Sequence, residues 1–313
     1  MDRTRKNRRP RRPALVVHGG AWQIPEQMYE DSRDGCREAA RIGWEILVSG
    51  GSALDAVEAA VCALEDDSTF DAGRGSVLNA AGEIELDAII MDGSSLNLGA
   101  VMAVKHAPNP VTLARLVMER SRHAILVSEG AEAFARDHGV QLHPNWNLID
   151  DRERERWRAQ RSGEDDGGEA RQDCPTGTVG AVALDVNGHL AVATSTGGTF
   201  YKHPGRVGDS PLVGCGAYAD DCAGAVSVTG EGEDLMKVVI SKSVCDMLER
   251  GMSAQEAADA GIALLARRAR GKGGLTVLGR DGDIGLAHNT SHLAYATIAE
   301  GEIICGVQVP GHS

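Results

Sequence analysis

Residues 174–209 constrain the fold more than any other part of the 313-residue chain. A charged, glycine-bearing segment ends at Pro175, and a run that alternates β-branched with small residues begins at Thr178. This change of pattern predicts that Thr178 lies where a loop becomes a strand. Asn187-Gly188 follows, a dipeptide that suits a tight hairpin because it tolerates positive φ. The return strand ends at Thr196, so we expect Thr196 to lie beside the start of the first strand.

Six short blocks of different sequence, rich in glycine, threonine and charged residues, are spaced along the chain. They are His18-Gly19-Gly20-Ala21-Trp22, Asp71-Ala72-Gly73-Arg74-Gly75-Ser76-Val77, Thr194-Ser195-Thr196-Gly197-Gly198, Gly205-Arg206-Val207-Gly208-Asp209-Ser210-Pro211, Gly214-Cys215-Gly216-Ala217-Tyr218-Ala219-Asp220 and Thr229-Gly230-Glu231-Gly232-Glu233. In this order they resemble the plant-type asparaginase and isoaspartyl aminopeptidase family. That family belongs to the N-terminal nucleophile (Ntn) hydrolases, with aspartylglucosaminidase and taspase. The resemblance spans nearly all of the chain outside its two ends and one insert.

The order of predicted elements indicates a layered α+β protein. A strand from Ala14 to His18 precedes two helices, two strands and two more helices. After the Thr178 hairpin come short strands, an amphipathic helix predicted from Glu233 to Arg250, a helix opened by the capping box Ser253-x-x-Glu256, and four further strands. Alternating helix pairs and strand sets are typical of stacked sheets covered by helices. The resemblance implies the four-layer αββα sandwich of the Ntn hydrolases.

Two polar segments are predicted to flank or interrupt the single domain of residues 13–313. Residues 1–12 carry seven Lys or Arg against one Asp, a net charge of +6, and are predicted to form a short disordered arm. Residues at about 150–175 lose all hydrophobic periodicity and are predicted to be a mobile linker, because a polar tract buries no apolar area. A mobile segment just before Thr178 would let a new chain end move away after cleavage.

Composition excludes several classes of protein. The formal net charge is −13, and an acidic body repels the phosphates of nucleic acid, so we expect no nucleic-acid partner. The chain has no apolar span approaching about 20 residues, so we expect no membrane partner. Its seven cysteines form an odd set without a Cys-x-x-Cys pair, which favours reduced thiols over a zinc site or a disulfide framework. We therefore expect a cytoplasmic protein.

The chemistry expected of Thr178 depends on a free α-amine. A threonine hydroxyl is a poor nucleophile unless a base removes its proton. If the chain is cut between Gly177 and Thr178, the new amine, with a reference pKa of about 7.7–8.0, lies within reach as that base. Glycine leaves the attacked carbonyl unobstructed. The predicted products are residues 1–177 (α) and 178–313 (β). Cys174 is a weaker candidate nucleophile because no basic residue adjoins it in sequence.

The resemblance implies further roles for residues that match the family motifs. Thr196 is expected to hydrogen-bond near the nucleophile and to assist both cleavage and turnover. Thr229 and Gly230 are expected to donate the oxyanion hole and to contact the substrate. Arg206 is expected to hold the substrate α-carboxylate, since a planar guanidinium binds it in a bidentate manner. Asp209 is expected to hold the α-ammonium.

Such a clamp, with Gly232 in the pocket wall, would select small-molecule substrates that carry both a free α-amine and a free α-carboxylate. The resemblance therefore implies release of L-aspartate from β-aspartyl dipeptides and L-asparagine, with no required cofactor. It also implies a homodimer of α/β heterodimers. An isolated Arg-x-x-Asp is usually a surface ion pair, and this stays the alternative for Arg206 and Asp209.

The resemblance also implies a structural sodium ion, bound by backbone carbonyls between residues 64 and 74. The implied positions are Leu64, Glu65, Asp67, Phe70, Ala72 and Arg74. Asp71, in the same loop, departs from the family, which normally has asparagine there. A carboxylate near the Thr178 amine would raise the pKa of that amine, whereas a buried and protonated Asp71 would act much as asparagine does. Asp71 could instead accept backbone hydrogen bonds in the Gly73–Gly75 turn.

Two alternative functions stay open. An aspartylglucosaminidase-like enzyme would cleave the sugar–asparagine bond, but that branch usually has aspartate where this chain has Gly177, and it matures in a secretory setting. A non-catalytic binding protein with the same fold would stay uncleaved, and only Asp71 favours it. A denaturing gel separates the cases, since the binding protein gives one band and the self-cleaving enzyme two.

Overall fold

The computed structural model describes residues 12–163 and 177–311. The strands in these ranges are β1 (Ala14–His18), β2 (Leu86–Asp92), β3 (Leu98–Val104), β4 (Ile125–Val127), β5 (Val179–Leu184), β6 (Leu190–Thr196), β7 (Ala217–Asp220), β8 (Gly224–Gly230), β9 (Gly273–Gly279), β10 (Ile284–His288), β11 (Tyr295–Ala299) and β12 (Glu302–Gly306). The helices are α1 (Tyr29–Val48), α2 (Ala53–Asp66), α3 (Pro110–Arg120), α4 (Ser128–Asp137), α5 (Asp151–Ser162), α6 (Gly232–Val238), α7 (Ile240–Glu249) and α8 (Ala254–Arg268).

The strands form two stacked sheets. The larger has eight strands in the order β12-β11-β1-β5-β6-β2-β3-β4, and the smaller has the order β10-β9-β8-β7. Neighbouring strands are antiparallel except β3 and β4. Because β1, β5 and β6 are central and covered on both faces, nearly every side chain along them is buried. Continuous apolar runs of this kind are typical of strands packed on both sides.

Three apolar cores separate four layers. Side chains alternate between the faces of a strand, so Leu15 of β1 packs against helices α1 and α2 while Val16 packs between the sheets with Leu278 of β9. A third core, which includes Val226 and Val244, lies between the smaller sheet and helices α7 and α8. The layer order is therefore helix, sheet, sheet, helix, and the predicted α+β sandwich is confirmed.

Part of the predicted linker is helical. Helix α5 covers Asp151–Ser162, and the Asp150 side chain caps its first turn by accepting from the Arg152 amide at 2.9 Å. Its charges alternate in sign at helical spacing, as between Arg156 and Glu153, and such pairs support a helix that composition alone does not suggest. Glu153 is buried. The linker prediction was wrong for these twelve residues, and its remainder from residue 164 lies outside the described ranges.

The single helix predicted from Glu233 to Arg250 is two helices. Val239 adopts a left-handed conformation, with φ of 46° and ψ of 55°, between α6 and α7. The loop at Gly214 packs at this break, and its carbonyl accepts from the Lys242 amide at 2.9 Å. Tertiary contacts therefore interrupt a periodic apolar pattern that continues through the break.

The predicted arm of residues 1–12 lies outside the described residues except for Arg12. The Arg12 side chain forms an ion pair with Glu300, in the turn between β11 and β12. Across the described ranges, no helix is both long enough and apolar enough to cross a membrane.

Candidate active site

The β5–β6 hairpin places Thr178 and Thr196 side by side. Val179 pairs with Ser195, so the residue before β5 lies at the end of β6. Thr178 Oγ1 donates to Thr196 Oγ1 at 3.2 Å, and Thr196 Oγ1 also accepts from the Gly198 amide at 2.9 Å. Both threonines are buried, Thr178 with 6% of its surface exposed. The hairpin is thus formed in the predicted register, and the other candidate nucleophile, Cys174, lies outside the described residues.

A third hydroxyl group, that of Ser210, also contacts Thr178. Ser210 Oγ lies 3.1 Å from Thr178 Oγ1 and is buried. No role is predicted for Ser210 from the sequence, although Ser210 follows Asp209 directly in one of the six blocks. A serine in such a turn carries no chemical signal of its own, and only the path of the chain through space reveals the contact.

Thr178 opens on a pocket that gathers most of the predicted residues. The lining residues are Thr178, Thr196, Gly198, Thr199, Arg206, Gly208, Asp209, Ser210, Gly230 and Gly232. A Cβ at Gly232 would lie 2.9 Å from Asp209 Oδ1 and 3.1 Å from Arg206 Nη2. Glycine is therefore needed at this position so that the guanidinium and the carboxylate can both border the pocket.

Arg206 is held by an ion pair that its sequence motif does not predict. Its Nε and Nη2 donate to the two carboxylate oxygens of Glu233 at 2.9 and 2.7 Å. Burial acts to lower the pKa of Arg206, but the hydrogen bonds and charge of Glu233 outweigh it and the pKa is raised. Arg206 is therefore a fixed cation, with one edge of its fork occupied by a carboxylate.

Asp209 is a buried carboxyl group with an unsatisfied oxygen. Only 3% of its surface is exposed, and its Oδ2 has no hydrogen-bond partner among the described residues. Burial raises the pKa of Asp209 to about 7, against the opposing effects of its own backbone amide and of Arg206. A cationic group in the pocket would stabilise the ionised form, because an opposite charge lowers a carboxyl pKa.

The two predicted oxyanion-hole residues lie at different depths. Gly230 lines the pocket with φ of 145°, and a Cβ there would overlap the Lys272 carbonyl oxygen. Thr229 is fully buried beneath it, and its Oγ1 accepts from the Ala21 amide at 3.3 Å. The Thr229 hydroxyl thus ties β8 to the glycine-rich block that follows β1.

His18 lies deep beneath the nucleophile. Its Nε2 is 2.6 Å from Ser227 Oγ, and the ring is fully buried. Burial lowers the pKa of His18 to about 3, against an opposing effect of the Thr178 backbone. The imidazole is therefore neutral at physiological pH and belongs to the packed interior.

Asp71 lies against the segment where cleavage is predicted. A Cβ at Gly177 would be 3.2 Å from Asp71 Cβ, and the Asp71 carbonyl accepts from the Gly197 amide at 3.0 Å. Asp71 Oδ1 accepts from the Val77 amide at 3.0 Å, just beyond the Gly73–Gly75 turn. Burial raises the pKa of Asp71 to about 7, while the Val77 hydrogen bond opposes the shift.

Two of the carbonyl oxygens implied as sodium ligands lie beside glycines of the same loop. A Cβ at Gly73 would overlap the Glu65 carbonyl oxygen, and one at Gly75 would overlap that of Phe70. The Asp67 carbonyl accepts from the Phe70 amide at 3.2 Å, which leaves a second lone pair on that oxygen. Backbone oxygens are suitable ligands for a hard cation, and the sodium ion that the resemblance implies stays a prediction.

Comparison with known proteins identifies the family. The family model described as Asparaginase matches residues 11–306. Among similar proteins, the isoaspartyl peptidase/L-asparaginase of Danio rerio is 46% identical, over 94% of this chain and 95% of its own length. The proteins of the same name from Xenopus laevis and Homo sapiens are 44% and 45% identical, over 95% and 94% of this chain and 95% and 96% of their own lengths. The chain therefore belongs to the asparaginase family of Ntn hydrolases.

Proposed function

We propose that this hydrolase cuts itself between Gly177 and Thr178 and then uses the Thr178 hydroxyl to release L-aspartate from β-aspartyl dipeptides and L-asparagine. The observation that carries the proposal is the setting of Thr178. Its hydroxyl is buried at the end of a pocket that also presents Arg206 and Asp209, a cation and an acid suited to a free amino acid. Relatives named isoaspartyl peptidase/L-asparaginase, at 44–46% identity, support the same substrates.

The contacts of the cleavage segment support self-cleavage. Thr178 Oγ1 attacks the Gly177 carbonyl and forms a C–O bond, and its proton passes to the Thr178 nitrogen as the C–N bond breaks. The acyl group is then an ester on Oγ1, and the Thr178 amine is free. Water then hydrolyses the ester to leave a Gly177 carboxylate and the free hydroxyl. The segment is tightly held, since a Cβ at Gly20 would lie 2.7 Å from Gly177 Cα. Close packing of this kind limits the segment to few conformations.

Turnover uses the amine that cleavage releases. The Thr178 amine takes the proton from Oγ1, and the oxygen attacks the side-chain carbonyl of the substrate. The Gly230 backbone, with Thr229, stabilises the oxyanion. The protonated leaving group departs as ammonia or as an amino acid, and water hydrolyses the aspartyl ester. In the uncleaved chain Thr196 accepts from Thr178, and this contact between the two hydroxyl groups orients the nucleophile.

The pocket recognises the α-carboxylate and α-ammonium together. Glu233 occupies the Nε–Nη2 edge of Arg206. The third nitrogen, Nη1, is near two pocket-lining glycines, since a Cβ added at Gly208 would lie 2.9 Å from it and one added at Gly198 would lie 3.4 Å from it. The Nη1 side of the guanidinium is therefore the side that meets a substrate carboxylate. Asp209 is too buried for a surface ion pair, and a substrate ammonium would supply the positive charge that its carboxylate needs.

The test is release of aspartate by the purified protein from β-aspartyl-leucine, L-asparagine and glycosylasparagine. We expect activity on the first two, dependent on cleavage, and none from a Thr178→Ala variant that stays in one piece. Preference for glycosylasparagine would favour the aspartylglucosaminidase-like alternative. A folded, uncleaved and inactive wild-type protein would favour the binding protein.

A bound sodium ion would complete the loop of residues 64–74 and hold the Asp71 block in place. The Glu65 and Phe70 carbonyl oxygens, which lie beside Gly73 and Gly75, are available as ligands and support this. Thermal unfolding in sodium chloride, compared with tetramethylammonium chloride at equal ionic strength, tests it, and equal midpoints would contradict it.

The family resemblance further supports a homodimer of α/β heterodimers, which sedimentation can test. The cysteines within the described ranges are free thiols, which is compatible with a cytoplasmic location.

A further inference from the structure

We propose that Ser210 donates a hydrogen bond to Thr178 Oγ1 and stabilises the negative charge that develops on this oxygen as it attacks. The inference rests on the proposed function, because it adds a residue to the same nucleophile. Ser210 thereby acts on the reacting atom itself, both in self-cleavage and in turnover.

The direction of the hydrogen bond follows from counting protons. A threonine hydroxyl has one proton and two acceptor lone pairs. Thr178 gives its proton to Thr196 Oγ1 at 3.2 Å, so it can only accept from its other neighbour. Ser210 Oγ, at 3.1 Å, is that neighbour. Ser210 is therefore the donor in this contact.

The two hydroxyl neighbours respond differently when Thr178 loses its proton. Thr196 is an acceptor from Thr178 and from the Gly198 amide, so it must reorient its own proton before it can stabilise an anion. Ser210 already points its proton at the oxygen and needs no rotation. A donor set in place before the reaction stabilises developing charge without reorganisation, which is the basis of electrostatic catalysis.

The backbone holds Ser210 rigidly in this orientation. It lies in a turn in which the Asp209 carbonyl accepts from the amides of Leu212 and Gly216, at 2.9 and 3.0 Å. A Cβ at Gly216 would overlap Ser210 Cα, so the turn has no room to shift. Only 1% of the Ser210 surface is exposed, so water does not compete for its hydroxyl.

The test compares Ser210→Ala and Ser210→Thr with wild type, using kcat and KM of the matured enzyme and the rate of self-cleavage. We expect Ser210→Ala to lower kcat by about 10- to 100-fold, as for loss of a hydrogen bond to a charged group, with KM within about twofold of wild type. Self-cleavage should slow in parallel. Ser210→Thr keeps the hydroxyl and should restore most of kcat.

A buried serine remote from the pocket provides the matched control. Ser241 in α7 donates to the Cys215 carbonyl at 2.6 Å and has no contact with Thr178. Ser241→Ala should lower thermal stability while kcat is unchanged. If Ser210→Ala does not fold, Ser210→Cys keeps the size of the side chain with a weaker donor and should still lower kcat.

Three results would overturn the proposal. They are an unchanged kcat in Ser210→Ala, an effect on KM alone, and a Ser210→Thr variant as slow as the alanine variant, which would indicate packing rather than donation. Failure of the proposed function is distinguishable, since wild type would then release no aspartate, while the self-cleavage rates would still report on Ser210.

Discussion

Replacing Asp71 by asparagine should stabilise the uncleaved protein, and the gain should grow with pH. Burial raises the pKa of Asp71 from 3.8 to about 7. Between these values the unfolded chain releases the proton while the folded protein retains it, so stability is lost as pH rises from about 4 to 7. Asparagine carries no charge and removes this loss, and its side-chain oxygen can still accept from the Val77 amide.

The size of the effect follows from the shift. About three pKa units at about 1.4 kcal/mol each give roughly 4 kcal/mol of unfolding free energy at pH 7 and above. Below pH 3.8 the carboxyl group is protonated in both states, so the difference between the variants falls toward zero. A gain of this size is large compared with the total stability of an ordinary domain, roughly 5 to 15 kcal/mol.

Urea unfolding between pH 4 and pH 8 measures the effect. Both proteins should carry Thr178→Ala, so that a single uncleaved chain unfolds, and one should also carry Asp71→Asn. An Asp281→Asn variant, changed at an exposed aspartate, controls for loss of one charge. A difference that stays constant across the pH range, or an asparagine variant that is less stable at pH 8, would refute the reasoning.

Other predictions concern the substrate. Arg206→Lys should raise KM by about 10- to 100-fold because lysine lacks the bidentate fork, with self-cleavage intact; loss of folding would make Arg206 structural. Glu233→Gln should raise KM less than Arg206→Lys does. An unchanged KM would show that Glu233 has no part in substrate binding. Gly232→Ala should raise KM because its Cβ crowds Asp209; normal kinetics would contradict this. Asp71→Asn should move the acidic limb of the pH profile of kcat/KM to lower pH, since an ionised Asp71 raises the pKa of the Thr178 amine. An unchanged limb would show that Asp71 does not act on that amine.

Local chain geometry explains which parts of the site could be predicted from the sequence. Thr178 and Thr196 flank a hairpin, and antiparallel pairing brings the ends of a hairpin together whatever the rest of the chain does. The capping box at Ser253 likewise specifies a helix start within four residues, and α8 begins there. Features set by such short-range rules were predicted correctly.

Features set by distant packing could not be predicted in this way. Ser210 reaches Thr178 only because the chain after β6 folds back across the end of the hairpin. Val239 is left-handed because of tertiary contacts, against an apolar period that continues through it. Asp71 was visible as a departure from the family, but the burial that raises its pKa depends on the surrounding layers. Composition does not predict helix α5, because its polar residues lack apolar periodicity and only their alternating charges favour a helix.

Intact-mass measurement on the purified and aged protein is the direct test of cleavage between Gly177 and Thr178. We expect two fragments, residues 1–177 and 178–313, with the smaller beginning Thr-Val-Gly-Ala. The Thr178→Ala variant should stay at the full-length mass of 33.0 kDa. A wild-type protein that stays full-length after long incubation and still releases aspartate would contradict the mechanism, because Thr178 would then act without a free amine.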